Sequence, residues 1–237
     1  MSDAREDGAP VRALAPAKRR LWAEAVGRQL RCPAGPAGSL FGWLMAIINA
    51  KPYEAAITAL DPRPGDRVLE LGFGPGHGLL ALAARVGDGQ VFGVDQSSRM
   101  VDQAARRNRA AIAAGRMGLA QGPFSPLRWA DETFDKILLV NVVYFFDRGG
   151  RDIRDVYRVL RGGGSVAVYA TDRPTMEKWP FAGPDTHRTF DRADLAHLLE
   201  SAGFGSADVD VTAQALPFGV AGLVAVARKR TRGSSVE

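Results

Sequence analysis

Residues 70–78 read ELGFGPGHG, with glycine at every second position from Gly72 to Gly78, directly after the apolar run RVL. A strand that ends in such a turn brings backbone N–H groups and a helix N-terminus against a ligand. Residues without Cβ let the chain turn tightly and let the ligand come close. The dinucleotide fingerprint G-x-G-x-x-G needs a small residue five places after its first glycine, but His77 stands there from Gly72 and Leu79 from Gly74. The phosphate loop fails as well, since no Gly-Lys-Ser/Thr follows. The stretch therefore predicts a strand–turn–helix unit that binds an organic ligand by a different rule.

The rest of the chain repeats that alternation. Apolar runs at 67–71, 90–95, 118–122, 134–141 and 165–171 are separated by helical patterns over 78–86, 97–114 and 151–160, the last followed by the turn RGGG. A further helix over 192–202 precedes two strand-like runs, ADVDVTA and GLVAVARK, with no helix between them. Strands separated by helical segments predict an α/β fold: a Rossmann-like, doubly wound, mostly parallel seven-stranded sheet with helices on both faces. The final pair fits an antiparallel hairpin.

About 60 residues of another character come first. KRRLWAEAVGRQL and SLFGWLMAIINAKPYEAAITAL carry helical periodicity, split by the Pro- and Gly-rich CPAGPAG. The boundaries expected are 1–62 for a tail and helical lid, and 63–237 for the ligand-binding core. Ligands of doubly wound sheets bind at the carboxyl ends of the strands, an opening that such a segment could cover; a packing layer on the sheet is the equal alternative.

Composition narrows the setting. The chain has 237 residues, 46% of them hydrophobic, enough for one globular domain with a full core and a cleft. No apolar stretch reaches bilayer length and the charged start lacks the features of a secretory signal, so a cytoplasmic location is expected. Cys32 is the single cysteine, which excludes an internal disulfide and a cysteine zinc cluster. The excess of 31 Lys plus Arg over 26 Asp plus Glu is spread along the chain. Arginines at 106–109 and 148–161 fall on helix faces, the latter beside Asp147, Asp152 and Asp155, so solvated faces are expected and nucleic acid is disfavoured.

The glycine stretch resembles the first motif of the class I S-adenosylmethionine-dependent methyltransferases, E/D-x-G-x-G-x-G, met by Glu70, Gly72, Gly74 and Gly76 with Phe73 between them. In VFGVDQSSRM the resemblance puts Asp95 at the end of the second strand, where the family's acidic residue grips both ribose hydroxyls, with Gln96 and Met100 flanking the adenine. A carboxylate suits two vicinal hydroxyls because it offers two coplanar acceptors. Asp95 so placed ends a strand at an open cleft, and its removal is expected to leave folding nearly unaffected. After the third strand many members carry Gly-Asp-Ala, whereas this chain reads QGPF; adenine contact is then expected from Gln121 or from the Pro123–Phe124 segment. FDKILLVNVVYFF resembles the fourth motif, with Asn141 under the methionine half of the cofactor, and VLRGGGSVAVY the helix, turn and fifth strand. The resemblance spans residues 60–228 and implies S-adenosylmethionine as cofactor and S-adenosylhomocysteine as product.

The acceptor is a separate question. Asn141-Val142-Val143-Tyr144 is not the Asn/Asp-Pro-Pro-Tyr of amino-methylating nucleic-acid enzymes, and the carboxylate set of the metal-dependent catechol type is lacking, so no metal is expected. Trp22, Gln29, Trp43 and Met45 in the N-terminal segment, and Tyr144, Tyr169 and Trp179 beyond the strands, suit a small, partly apolar or aromatic acceptor such as an indole-like natural product. His187 is the candidate general base, with Tyr144 and Tyr169 as further catalytic candidates and Asp172 behind them. His77 sits on the cofactor's side of the turn, and His197 reads as surface or packing. Two other readings stay open: a lipid-amine N-methyltransferase touching a membrane surface through Trp22 and the basic N-terminal helix, and a non-catalytic cofactor-binding module that has lost the acid at Pro123. Oligomeric state is not readable.

Overall fold

The computed structural model describes residues 50–179, 187–216 and 219–231. Helix α1 (Ala50–Leu60) precedes strand β1 (Arg67–Leu71), followed by α2 (His77–Val86), β2 (Gln90–Asp95), α3 (Ser98–Arg107), α4 (Arg109–Ala113) and β3 (Met117–Gln121). The chain continues through β4 (Phe134–Val140), α5 (Arg151–Val159), β5 (Leu160–Thr171), the short α6 (Arg173–Met176), α7 (Arg192–Glu200), β6 (Val209–Ala215) and β7 (Ala221–Arg228). The seven strands lie in the order β3-β2-β1-β4-β5-β7-β6. The first five are parallel, and β7 is antiparallel to both β5 and β6.

The central strands read as apolar runs because both their faces are covered. On one side Val68, Leu138 and Ala167 join Ile57 and Leu60 of α1 and Leu79 and Leu82 of α2. On the other, Leu69, Leu71, Ile137 and Leu139 join Ile153 and Val156 of α5 and Leu195 of α7. Strand order reverses at β1, whose neighbours are β2 and β4, so the carboxyl ends of these strands flank the crevice in which a doubly wound sheet binds its ligand.

Two expected boundaries move. The single helix expected over 97–114 is two helices that meet at Asn108. The turn expected at RGGG is the start of β5, which runs from Leu160 and shifts register against β4 between the pairs of Phe134 and Lys136. The last pair of strands forms the expected antiparallel hairpin.

Of the N-terminal segment, residues 50–62 are described, and α1 within them packs on β4, β5 and β7. This portion is a packing layer and part of the sheet's core. Trp22, Gln29, Trp43 and Met45, with the remainder of the expected lid, lie outside the described residues. Among the described residues no helix is long and apolar enough to cross a membrane.

Since Ile57 is fully buried against the sheet, Ile57→Ala should lower unfolding free energy by about 2–5 kcal/mol. Urea unfolding measures this. A midpoint equal to wild type would mean that α1 is no part of the folded core.

Candidate functional site

The glycine turn begins with the Gly72 N–H donating to the Val94 carbonyl at 2.8 Å, which ties the end of β1 to β2. Most of the glycine spacing serves the protein's own packing. A Cβ on Gly72 would fall 2.5 Å from Val142 Cγ2, and one on Gly78 would fall 2.5 Å from Glu70 Oε1 and 2.3 Å from Tyr53. Gly74 differs: its φ of +53° requires glycine-like freedom, yet a Cβ there would meet nothing within 4 Å. The open surface of the turn is therefore at Gly74. Phe73, expected to touch cofactor, instead sends its ring into the core, close against Gly93. Only its backbone stays at the turn.

Asp95 stands beside Gly74. Its Oδ2 accepts from the Gly74 N–H and its Oδ1 from the Ser97 N–H, both at 2.9 Å. Each oxygen keeps a second lone pair. Burial pushes its pKa up to about 6, against the two backbone hydrogen bonds that favour the charged form. The residue is thus buried and bonded to the turn rather than open at the cleft as expected, so its removal should disturb the fold as well as the cleft. The Gly122 N–H donates to the Asp95 carbonyl at 3.0 Å and Gln121 Nε2 to the Gln96 carbonyl at 3.3 Å, which brings the turn after β3 against the same strand end. Pro123 is exposed there. Phe124 is buried, 5.6 Å from Phe146, with its ring edge near Gly72. Met100 is also fully buried, which makes it packing beneath the site. The following loop is fixed by Asp155, which accepts from the Leu127 N–H, and by Arg158, which donates to the carbonyls of Leu127 and Trp129.

Behind the turn lies a second carboxyl. Glu70 is fully buried, its Oε1 accepts from Tyr53 Oη at 2.7 Å, and its Oε2 has no hydrogen-bond partner. Burial raises its pKa to about 8; the Tyr53 hydrogen bond opposes this and the Asp95 charge adds to it. Sequence reasoning found Glu70 through the motif but missed Tyr53, whose signal is only an apolar helix face interrupted by a phenol.

The end of β4 carries the third group. Asn141 takes a φ of +52°, a conformation that non-glycine residues adopt at a cost of roughly 1–3 kcal/mol and that asparagine tolerates best. Tyr144 Oη donates to Asn141 Oδ1 at 2.6 Å and accepts from the Thr171 N–H at 2.5 Å, joining the ends of β4 and β5. Burial drives its pKa well above the ordinary tyrosine value, so this phenol is a bracket and a poor base. His187 is buried beside it, 6.1 Å from the Tyr144 ring and 5.0 Å from that of Phe145. Trp179 is half-buried against the same cluster. Tyr169 parts from this group: it packs in the cluster on the α1 side, its Oη close under Gly222. Its hydroxyl lies near Thr171 without a well-formed hydrogen bond, and burial raises its pKa to about 12. Asp172 caps α6 by accepting from the Thr175 N–H, and His77 and His197 are exposed.

Because Glu70 holds its proton up to about pH 8 in the native state and releases it near 4.5 when unfolded, the folded chain binds more protons across that interval. Stability should therefore fall as pH rises from about 5 to 8. In Glu70→Gln the fall should shrink by an amount on the order of 2 kcal/mol. Urea unfolding at both pH values reads this. Equal pH dependence in the two proteins would show that Glu70 is ionised throughout.

The open turn at Gly74 and the spare lone pairs of Asp95 fit a ligand bearing a vicinal diol. A family model for a methyltransferase domain matches residues 68–164, from β1 into β5. The chain is 29% identical over 168 residues to the uncharacterized methyltransferase YdaC of Bacillus subtilis, covering 71% of this chain and 87% of that protein. It is 31% identical over 124 residues to the ubiquinone/menaquinone biosynthesis C-methyltransferase of Geotalea daltonii, covering 50% of this chain and 51% of the relative. The match therefore spans about half of that quinone enzyme. In fold the chain is similar to a SAM-dependent methyltransferase from Aquifex aeolicus, with TM-score 0.60 and 17% identity over 91% of this chain and 100% of the other. The motif order, the sheet topology and these matches together support a class I S-adenosylmethionine-dependent methyltransferase, with the methyltransferase-domain model matching residues 68–164.

Proposed function

We propose that the enzyme methylates a small, partly apolar or aromatic acceptor at O, N or C, indole-like compounds included. The observation that carries this reading is the buried aromatic cluster of Tyr144, Phe145, Phe190 and His187 beside Asn141 at the end of β4. Aromatic rings gathered at the carboxyl end of a strand suit a flat apolar ligand oriented by a few polar groups. The quinone-pathway relative from Geotalea daltonii supports a cyclic acceptor. The lipid-amine reading depended on Trp22 and the basic N-terminal helix, outside the described residues, and no described residue favours it. The regulatory-module reading depended on Pro123 alone, and the turn that carries Pro123 is still bonded to Asp95 through Gly122.

S-adenosylmethionine, when bound, supplies an electrophilic methyl group on a sulfonium. The chain's part is alignment and exclusion of water. Asp95 accepts from the ribose hydroxyls, Gly74 leaves room for close approach, and Gln96 and the 121–124 turn border the adenine side. Asn141 holds the β4 end open toward the acceptor, its side chain fixed by Tyr144. His187 takes the acceptor's proton as the new bond to carbon forms, a role for which Tyr144 is unsuited because its hydroxyl is bonded on both sides.

Asp95→Ala removes two charge-assisted hydrogen bonds, each worth about 1.5–3 kcal/mol, with water replacing part of the loss. Calorimetric titration should show S-adenosylhomocysteine binding weakened tenfold to several hundredfold, roughly 1.4–3.5 kcal/mol. Affinity should also rise with pH through about 6 in wild type, as Asp95 ionises, and be flat in Asp95→Asn. Wild-type affinity in Asp95→Ala would contradict the placement.

For the acceptor, incubation with methyl-labelled cofactor and a panel of phenols, indoles, quinols and phospholipid amines, read by mass spectrometry, should give label in the cyclic compounds. Label in the phospholipid amines alone would overturn the reading. With the acceptor found, His187→Ala should lower the turnover rate about a hundredfold and leave S-adenosylhomocysteine affinity unchanged. A normal rate would remove His187 from the chemistry.

A further inference from the structure

The break between α3 and α4 lies against the back of the glycine turn. Asn108, buried at 2% exposure, sends its Nδ2 to the Gly76 carbonyl at 3.1 Å and to the Ala104 carbonyl at 2.9 Å. The preceding residue, Arg107, donates from its guanidinium to the Pro75 carbonyl. Two adjacent residues of one helix break thus hold two adjacent carbonyls of the turn, 32 positions upstream in each case. Neither residue belongs to the motifs that identify the cofactor site.

The amide orientation follows from its neighbours. Both groups within reach of Nδ2 are carbonyl oxygens, so the NH₂ must face them, and Oδ1 is left buried without a partner. The fit is close: a Cβ on Gly76 would stand 2.7 Å from Asn108 Nδ2 and 2.7 Å from Ala104 Cβ. In a trans peptide the C=O and the following N–H point opposite ways. Fixing the Pro75 and Gly76 carbonyls toward α3 therefore fixes the orientation of the peptide planes that open α2. The Gly76 N–H is engaged within the turn, on the Phe73 carbonyl at 3.1 Å. The His77 N–H, opposite the clamped Gly76 carbonyl, is directed away from α3. Gly76 supplies no side chain to cap α2; its carbonyl accepts both the Leu80 N–H at 3.3 Å, the first bond of the helix, and the Asn108 amide, so the clamp grips the oxygen from which α2 starts.

We infer that Asn108, assisted by Arg107, is a positioning residue for cofactor binding: it holds the glycine turn from behind in the shape that receives S-adenosylmethionine. The inference rests on the cofactor site assigned above. A residue of this kind governs how much of the free protein is binding-competent, and hence the apparent affinity, while the chemistry of the bound complex is unaltered.

The test is calorimetric titration of S-adenosylhomocysteine into wild type, Asn108→Ala, Asn108→Asp and Arg107→Ala, with melting temperatures recorded in parallel. Asn108→Ala should weaken binding about tenfold. Asn108→Asp, which places an acceptor against two carbonyls, should weaken it at least as much. Arg107 is exposed, so Arg107→Ala should fold normally and weaken binding two- to fivefold at an unchanged melting temperature, keeping the test readable if the buried variants unfold. Methyl transfer at saturating cofactor should keep its wild-type rate in Arg107→Ala. Variants that melt earlier yet bind within twofold of wild type would reduce Asn108 to a structural role, and wild-type affinity in Arg107→Ala would overturn the clamp. Absence of binding by wild type would instead defeat the cofactor site itself.

Discussion

The cofactor end of the molecule depends on one carboxylate holding two backbone amides. Asp95, the last residue of β2, accepts from the Gly74 N–H of the turn after β1 and from the Ser97 N–H that opens the next helix. Together with the Gly72 N–H bond to the Val94 carbonyl, it sets the distance of the turn from the strand beside it. The parallel register of β1 and β2 puts Leu71 opposite Val94, so both chains leave the sheet at the same height and the bond can form. Sheet topology therefore supplies the approach, and a single side chain converts it into a defined crevice.

Around that bond the structure concentrates buried polarity. Glu70 and Tyr53 lie behind the turn, Asn108 and Arg107 hold its carbonyls, and Asp95 holds an amide. Glu70 Oε2 and Asn108 Oδ1 remain buried without partners. Such atoms typically cost about 1–3 kcal/mol each, so these residues are expensive as packing and are best understood by the shape they impose on residues 72–78. The strained Asn141, held by Tyr144 across to Thr171, does the same for the acceptor side.

Much of this was legible in the sequence. Strands covered on both faces announce themselves as apolar runs, which is why β1, β2 and β4 fall where the residues say. The glycine spacing marked the site, but its reason was only partly readable. Gly72 and Gly78 are small because Val142, Tyr53 and Glu70 crowd them, and Gly74 alone faces open space. Contacts from distant parts of the chain leave no periodic trace, so neither the helix break at Asn108 nor the pairing of Tyr53 with Glu70 could be seen. Phe73 lies inside the motif yet turns its ring into the core, because position in a motif fixes the backbone and leaves side-chain direction to the neighbouring Gly93. Tyr169 and Tyr144 read alike as aromatic residues near strand ends, but the pleat of β5 sends Tyr169 to the α1 side while Tyr144 packs with His187.

A crystal structure with S-adenosylhomocysteine bound tests the central claim most directly. The account predicts both ribose hydroxyls within about 2.5–3.0 Å of the Asp95 carboxylate oxygens, the ligand backbone passing over Gly74, and the homocysteine sulfur directed toward Asn141. Ribose hydroxyls bound elsewhere, with Asp95 still engaged only by Gly74 and Ser97, would contradict it.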